Sequence, residues 1–172
     1  MNRSVVIALV AGTLLGAVGW AALTSARQGL EDPLRGPRGS LTAPSKEAVL
    51  PEGAPAPVGP YSPAVRYGDL LFLSGQIGMD PATGRLVEGG VIPETRQALA
   101  NLGILLEAAG LDLEDAVRVT VYLTDLDDYE DFNTEYARWM GEVPPARAAV
   151  EAARLPGDAR VEISLIAGGA GR

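Results

Sequence analysis

Residues 93–124 read PETRQALANLGILLEAAGLDLEDAVRVTVYLT, and a change of period inside this stretch decides the fold. In its first half Ala98, Leu99, Leu102, Leu105, Leu106 and Ala109 recur at three- and four-residue spacing, which predicts a helix over 93–109 with one apolar face. Gly110 then supplies a residue free to turn left-handed, the usual way for such a helix to stop. In the second half the period drops to two. Val117, Val119, Val121 and Leu123 alternate with other residues across 116–124, which predicts a strand with those four side chains on one face.

The same reading extends in both directions. Before the helix, 64–67 and 70–74 flank a Gly68-Asp69 turn and predict a hairpin. Residues 80–84, DPATG, are turn formers. After the central strand, 127–140 predicts a second helix, with Asp127 or Asp128 as its N-cap and acids in its first turn. Two strands follow over 146–153 and 160–167, separated by a Leu155-Pro156-Gly157-Asp158 turn. The order β-β-α-β-α-β-β predicts an α+β domain, a mixed sheet with two helices on one face.

The N-terminal third has another character. Residues 5–23, VVIALVAGTLLGAVGWAAL, form an apolar run after Arg3, close to the ~20 residues that span a bilayer as a helix. Residues 1–26 are therefore expected to be a transmembrane anchor or a signal peptide, leaving the protein membrane-anchored or exported to the periplasmic or extracellular side. Residues 27–56, rich in Pro and Gly, are expected to be a linker. The folded domain is expected over 57–168, with a tail at 169–172.

Composition narrows the chemistry. The chain has no Cys and no His, which removes thiolate nucleophiles, Cys-based zinc sites and the commonest general base. Its one lysine, Lys46, lies in the linker, a poor setting for a Schiff base. From Glu47 onward nine arginines and no lysine stand against twenty acids, a net of −11. Such a surface repels phosphate backbones, so no nucleic-acid partner is expected. What remains is Arg, carboxylates, Tyr, Ser, Asn, backbone groups and water.

Two of these residues stand out. Arg147 opens one C-terminal strand, and Glu162 sits inside the next, on the face opposite Val161 and Ile163. If the two strands lie beside one another, guanidinium and carboxylate line one pocket. Arg makes two charge-assisted hydrogen bonds to a carboxylate, and a Glu can orient or deprotonate water. Taken singly, each residue is more simply read as a solvated strand position or a weak surface pair.

Four blocks shift that weighing. They are Gly59-Pro60-Tyr61-Ser62 with Ala64-Val65; Leu73-Ser74-Gly75-Gln76-Ile77 with Asp80-Pro81-Ala82-Thr83-Gly84; Val119-Thr120-Val121-Tyr122-Leu123-Thr124-Asp125 leading to Phe132-Asn133 and Tyr136; and Pro145-Ala146-Arg147, Leu155-Pro156 and Val161-Glu162-Ile163. In this order, over about 57–167, the chain resembles the Rid (YjgF-like) family of imine deaminases.

The resemblance implies a chorismate-mutase-like fold and a homotrimer with active sites in the clefts between subunits. It implies hydrolysis of small 2-imino or 2-enamino acids to 2-oxo acids and ammonia, with no metal and no organic cofactor. By motif, Arg147 corresponds to the residue that grips the substrate carboxylate and Glu162 to the one that positions the attacking water. Tyr61 flanks the ligand, Ser74 gives a polar contact and Asn133 shapes the wall. Ala149, on the substrate side, stands where many members carry Cys, which implies altered packing, not lost activity. The segment before Pro145 is also short, which is expected to open the pocket rim and shift substrate preference. Placement of Arg147 and Glu162 on opposite sides of the sheet, or in solvent even after assembly, is expected to sink the deaminase reading.

Plainer roles exist for each. Tyr61 can be a half-buried aromatic at the domain entrance, Ser74-Gly75 a strand end, and Asn133 a structural hydrogen-bonder. Two rival functions are a trimeric module that binds small carboxylates or a protein partner without turnover, and an endoribonuclease, which the acidic charge disfavours.

Overall fold

A computed structural model describes residues 44–169. The strands are β1 (Lys46–Val49), β2 (Ala64–Tyr67), β3 (Leu70–Ile77), β4 (Met79–Asp80), β5 (Arg85–Leu86), β6 (Ala116–Leu123), β7 (Ala146–Glu151) and β8 (Val161–Gly168). The helices are α1 (Val91–Glu107) and α2 (Tyr129–Tyr136). Six strands form one sheet in the order β1-β2-β3-β8-β6-β7, and β4 and β5 make a small separate hairpin. Every neighbouring pair in the large sheet is antiparallel except β6 with β7.

This order explains why both helices share a face. β8 lies antiparallel between β3 and β6, so β3 and β6 run the same way and α1 is a crossover between them. α2 is the crossover of the parallel pair β6 and β7. Both crossovers advance across the sheet in the same direction, and both obey the right-handed rule, so they land on one side. There Leu71, Leu73, Val119, Val121, Ile163 and Leu165 meet Leu99, Leu102, Leu105 and Leu106 of α1 and Phe132 of α2 in one buried cluster. Each fully buried leucine contributes roughly 1.5–3 kcal/mol. The opposite face carries Arg118, Thr120, Tyr122, Ser164 and Ile166, with Leu70 and Phe72 40% and 38% exposed.

The expected element order is present, with local differences that have physical causes. α1 begins at Val91, since Pro93 fits within a first turn whose amides need no partner. It closes as expected at Gly110 (φ 75°), where Gly110 N–H donates to Glu107 O (2.9 Å) and Leu111 N–H to Leu106 O (3.0 Å), a Schellman closure. α2 is shorter than 127–140. Asp128 stands at its N-cap position as expected but makes no side-chain cap hydrogen bond; the capping bond belongs to the 3₁₀ turn before it, Leu126–Asp128, where the Asp125 side chain accepts from Asp127 N–H.

Val117 was expected inward but is 51% exposed, while Ala116 is buried. The register of β6 against β8 skips between Ala116 and Arg118, and this bulge turns Val117 outward. The stretch expected as linker contributes β1, an edge strand on β2.

The expected membrane anchor or signal segment is corrected. It falls on residues 1–26, outside the described residues, and among the described residues no helix is long and apolar enough to cross a membrane. The mixed α+β sheet with two helices stands without it. The expected membrane anchoring and export, with the membrane as a partner, have no support in the structure and are withdrawn with it.

Candidate active site

Arg147 sits on β7, the edge strand, in register with Val119. Paired residues of neighbouring strands point to the same face, and Val119 is in the core, so Arg147 points toward α2. That helix offers Tyr129, Phe132, Asn133 and Tyr136, spaced three and four apart and hence on one face. Arg147 Nη2 donates to Asn133 Oδ1 (2.6 Å) and to Tyr129 Oη (3.2 Å). Its Cζ lies 4.7 Å from the Tyr136 ring centre, 5.3 Å from Phe132 and 5.7 Å from Tyr129. Aromatic faces stabilise a cation by roughly 0.5–1 kcal/mol at exposed sites and by more where water is excluded; Arg147 is half-buried.

None of the four ion pairs among the described residues includes Arg147. The bond from Arg147 lowers the pKa of the Tyr129 hydroxyl from its ordinary value. Burial raises the pKa of Tyr136, against the opposing charge of Arg147.

Glu162 lies elsewhere. On β8 it pairs with Tyr122 on one side and Ile77 on the other, opposite in facing to the buried Val161 and Ile163. Across from it β3 has a bulge between Leu73 and Gln76. Gly75 sits in that bulge, and a Cβ added there would overlap the Glu162 carboxylate. A larger residue here would push the Glu162 carboxylate out of its present position.

Ser74 N–H donates to Pro63 O (2.9 Å) and Ser74 Oγ to Ser62 O (2.8 Å). Its hydroxyl proton is therefore spent on the loop, and Ser74 can only accept from a ligand. A cleft of about 280 Å³ is lined by Pro57, Tyr61, Ser74, Gly75, Ile77 and Glu162, among others. The Tyr61 ring is 45% exposed at its mouth. Behind it, the buried Asn101 amide donates to Ile77 O (3.2 Å) and Met79 O (2.8 Å), fixing the end of β3. Among the described residues no hydrogen bond or ion pair reaches the Glu162 carboxylate, and burial raises its pKa above the ordinary 4.5.

The candidate residues thus fall into two groups. Tyr61, Ser74 and Glu162 share one cleft; Asn133 and Arg147 lie together on the helix side. β6 separates β7 from β8, and Arg147 and Glu162 face opposite sides of the sheet. A pocket holding both within one chain is not formed, which corrects the expectation built on neighbouring strands. Ala149 packs against the core and lines neither the Glu162 cleft nor the groove beside Arg147. Among the described residues no group of three or more carboxylates is gathered as a metal would need.

Sequence reading missed the aromatic shelf under Arg147, although the spacing of Tyr129, Phe132 and Tyr136 could have signalled it. It also missed the role of Gly75, which has no local signal.

The family described as endoribonuclease L-PSP matches residues 51–168. The chain is 50% identical over 122 residues to a RutC family protein of Pyrococcus horikoshii, covering 71% of this chain and 97% of that one. It is 48% identical over 122 residues to the 2-iminobutanoate/2-iminopropanoate deaminase of Mus musculus, covering 71% and 90%. The crystal structure of Escherichia coli TdcF with bound serine superposes with a TM-score of 0.69 at 35% identity, covering 72% of this chain and 99% of that one.

Proposed function

The chain belongs to the endoribonuclease L-PSP family, the YjgF or Rid proteins, and on that premise we propose that it hydrolyses small 2-imino and 2-enamino acids to 2-oxo acids and ammonia. The reading rests most on Arg147: a guanidinium shelved on three aromatic rings, aimed by Asn133, with no carboxylate of its own. A charge held in this way suits an incoming carboxylate, to which it can offer two parallel hydrogen bonds.

We place the reacting centre between two copies of the chain in a homotrimer. Arg147 lies at the edge of the sheet, on β7, where a neighbour can approach. The uncovered sheet face, with Tyr67, Leu70, Phe72 and Val150 partly exposed, is the kind of apolar surface that a second copy covers. A cyclic arrangement in which the β7 edge of one copy meets the Glu162 cleft of the next repeats a head-to-tail contact until it closes. The opposite facing of Arg147 and Glu162 weighs against a site within one chain, and the reading stands only if each residue contributes to a cleft shared with a different copy.

In the proposed reaction Arg147 of one copy fixes the substrate carboxylate. Glu162 of the next, whose raised pKa makes it a better base than an exposed carboxylate, takes a proton from water as its oxygen adds to C2. The C=N electron pair moves to nitrogen, which takes back the proton from Glu162 to give the carbinolamine; the carbinolamine hydroxyl then gives its proton to the amine, the C–N bond breaks, and ammonia leaves with its electron pair as the C2 carbonyl forms. The sum is imine plus water to 2-oxo acid plus ammonia. Imines hydrolyse unaided, so positioning supplies much of the acceleration.

The experiment is turnover of 2-iminobutanoate to 2-oxobutanoate by the full chain, measured above the spontaneous rate. A binding module would protect or ignore the imine instead of hydrolysing it. The endoribonuclease reading, which the family's description carries, sits poorly with a net charge of −11 from Glu47 onward.

A further inference from the structure

The Arg147 fork is partly occupied by its own chain. Nη2 carries two hydrogens, and both are engaged, one by Asn133 Oδ1 (2.6 Å) and one by Tyr129 Oη (3.2 Å). A guanidinium grips a carboxylate at two points either from its side, through Nε and Nη2, or from its end, through Nη1 and Nη2. Either grip needs a hydrogen of Nη2. One of the two partners therefore lets go when a substrate carboxylate is held by both prongs.

The two partners are unequal. The bond to Asn133 is the shorter, and Asn133 is half-buried; the bond to Tyr129 is the longer, and Tyr129 is 39% exposed. Tyr129 is the one that yields. The exchange gives Nη2 an ionised acceptor in place of a neutral one, and hydrogen bonds to ionised groups are the shorter and stronger. The displaced phenol is not left idle. A hydroxyl that accepts through its oxygen keeps its own proton to give, and a carboxylate oxygen that takes its place on Nη2 lies beside that proton. The hydrogen bond from Arg147 also lowers the pKa of this phenol, which makes it a stronger donor than an ordinary tyrosine.

We propose that Tyr129 is a second carboxylate-binding residue of the site: its hydroxyl holds the place of a substrate oxygen on Arg147 Nη2 and, as the carboxylate arrives, turns from acceptor to donor and binds that same oxygen. The inference rests on the proposed deaminase reading and adds a specificity-determining group to it. The substrate carboxylate takes no part in the bond changes at C2, so this hydrogen bond is as strong before the transition state as in it. Such uniform binding lowers KM and leaves kcat alone.

The test is Tyr129→Phe in the full-length protein, which keeps a ring beside the guanidinium and removes only the oxygen. Steady-state turnover of 2-iminobutanoate separates kcat from KM, and titration calorimetry gives the Kd of 2-oxobutanoate, the stable product with the same carboxylate. Thermal unfolding is followed alongside. The expected result is a KM and a Kd each raised about tenfold, with kcat within about twofold of the parent and an unchanged melting temperature. A phenol that merely competes for Nη2 gives the reverse, so unchanged or tighter binding by Tyr129→Phe overturns the proposal. The same substitution made in Arg147→Met separates direct contact from an effect passed through the guanidinium. A further fall in kcat/KM of at least about threefold is expected there, and no further fall overturns the proposal. If the parent binds 2-oxobutanoate, Tyr129→Phe binds it about tenfold more weakly and neither hydrolyses an imine, the deaminase reading fails and the role of Tyr129 stands. A parent that neither binds the oxo acid nor turns over the imine overturns both.

Discussion

Replacing Arg147 with Met keeps an unbranched side chain over the rings of Tyr136 and Phe132 but removes the charge and both prongs of the fork. Two charge-assisted hydrogen bonds to the substrate carboxylate, at roughly 1.5–3 kcal/mol each, amount to about 10²–10⁴ in kcat/KM. Arg147→Lys restores the charge without the planar fork or the stacking, so about one bond returns and the loss is about 10–10². The fold is expected to tolerate both changes. Arg147 holds no ion pair, and the groups it leaves, Asn133 Oδ1 and the Tyr129 hydroxyl, belong to half-buried or exposed residues that water can reach. Stability should therefore shift by only about 1 kcal/mol. The assay is 2-iminobutanoate turnover across a substrate series wide enough to separate kcat from KM, with thermal unfolding alongside. Arg147→Met turning over within twofold of the parent, with its fold intact, refutes the assignment of the carboxylate grip.

Three further outcomes follow from the geometry. Gly75→Ala puts a methyl group where the Glu162 carboxylate lies and is expected to displace that carboxylate, lowering kcat/KM with little change in stability, as read by turnover with denaturant unfolding alongside. Because burial raises the pKa of Glu162, its charged form opposes folding, so its contribution turns unfavourable as pH rises through the folded-state pKa. Glu162→Gln should therefore melt higher at pH 7 while losing the rising limb of the kcat/KM profile, and an unchanged profile counts against the general base. Glu135 has the opposite sign. Arg96 donates to it twice, at 3.0 Å each, with Arg138 and Trp139 adding one bond apiece, and its pKa is lowered chiefly by the Arg96 hydrogen bonds. Its stabilisation is present above the unfolded-state value and lost as pH falls through the folded one, so Glu135→Gln should flatten the acid side of a stability-versus-pH curve.

Much of the fold was legible because two periods, 3.6 and 2, are written directly into side-chain hydrophobicity. The residues of α1, and the inward set Val119, Val121 and Leu123 on β6, follow from them. Val117 did not, because a bulge inserts one residue without changing the composition of the strand. β1 was hidden in a stretch whose prolines and glycines read as linker, and its partner, β2, is nearly twenty residues away. Arg147 and Glu162 were found by motif, yet their relation was not. Chain order makes their strands consecutive, but sheet order inserts β6 between them, and strand order is decided by crossovers that no local pattern encodes. The acid clamp at Glu135 was missed for a similar reason, since Arg96 reaches it from the other helix.

The measurement that bears most directly on the account mixes two inactive proteins. Arg147→Met and Glu162→Gln are unfolded together, refolded in equal amounts and assayed for 2-iminobutanoate turnover. If every site joins Arg147 of one copy to Glu162 of another, random assembly leaves about one quarter of the sites with both groups intact, and about that share of parent activity returns. Activity that stays at the level of the separate variants, in mixed assemblies of unchanged size, contradicts a site shared between chains.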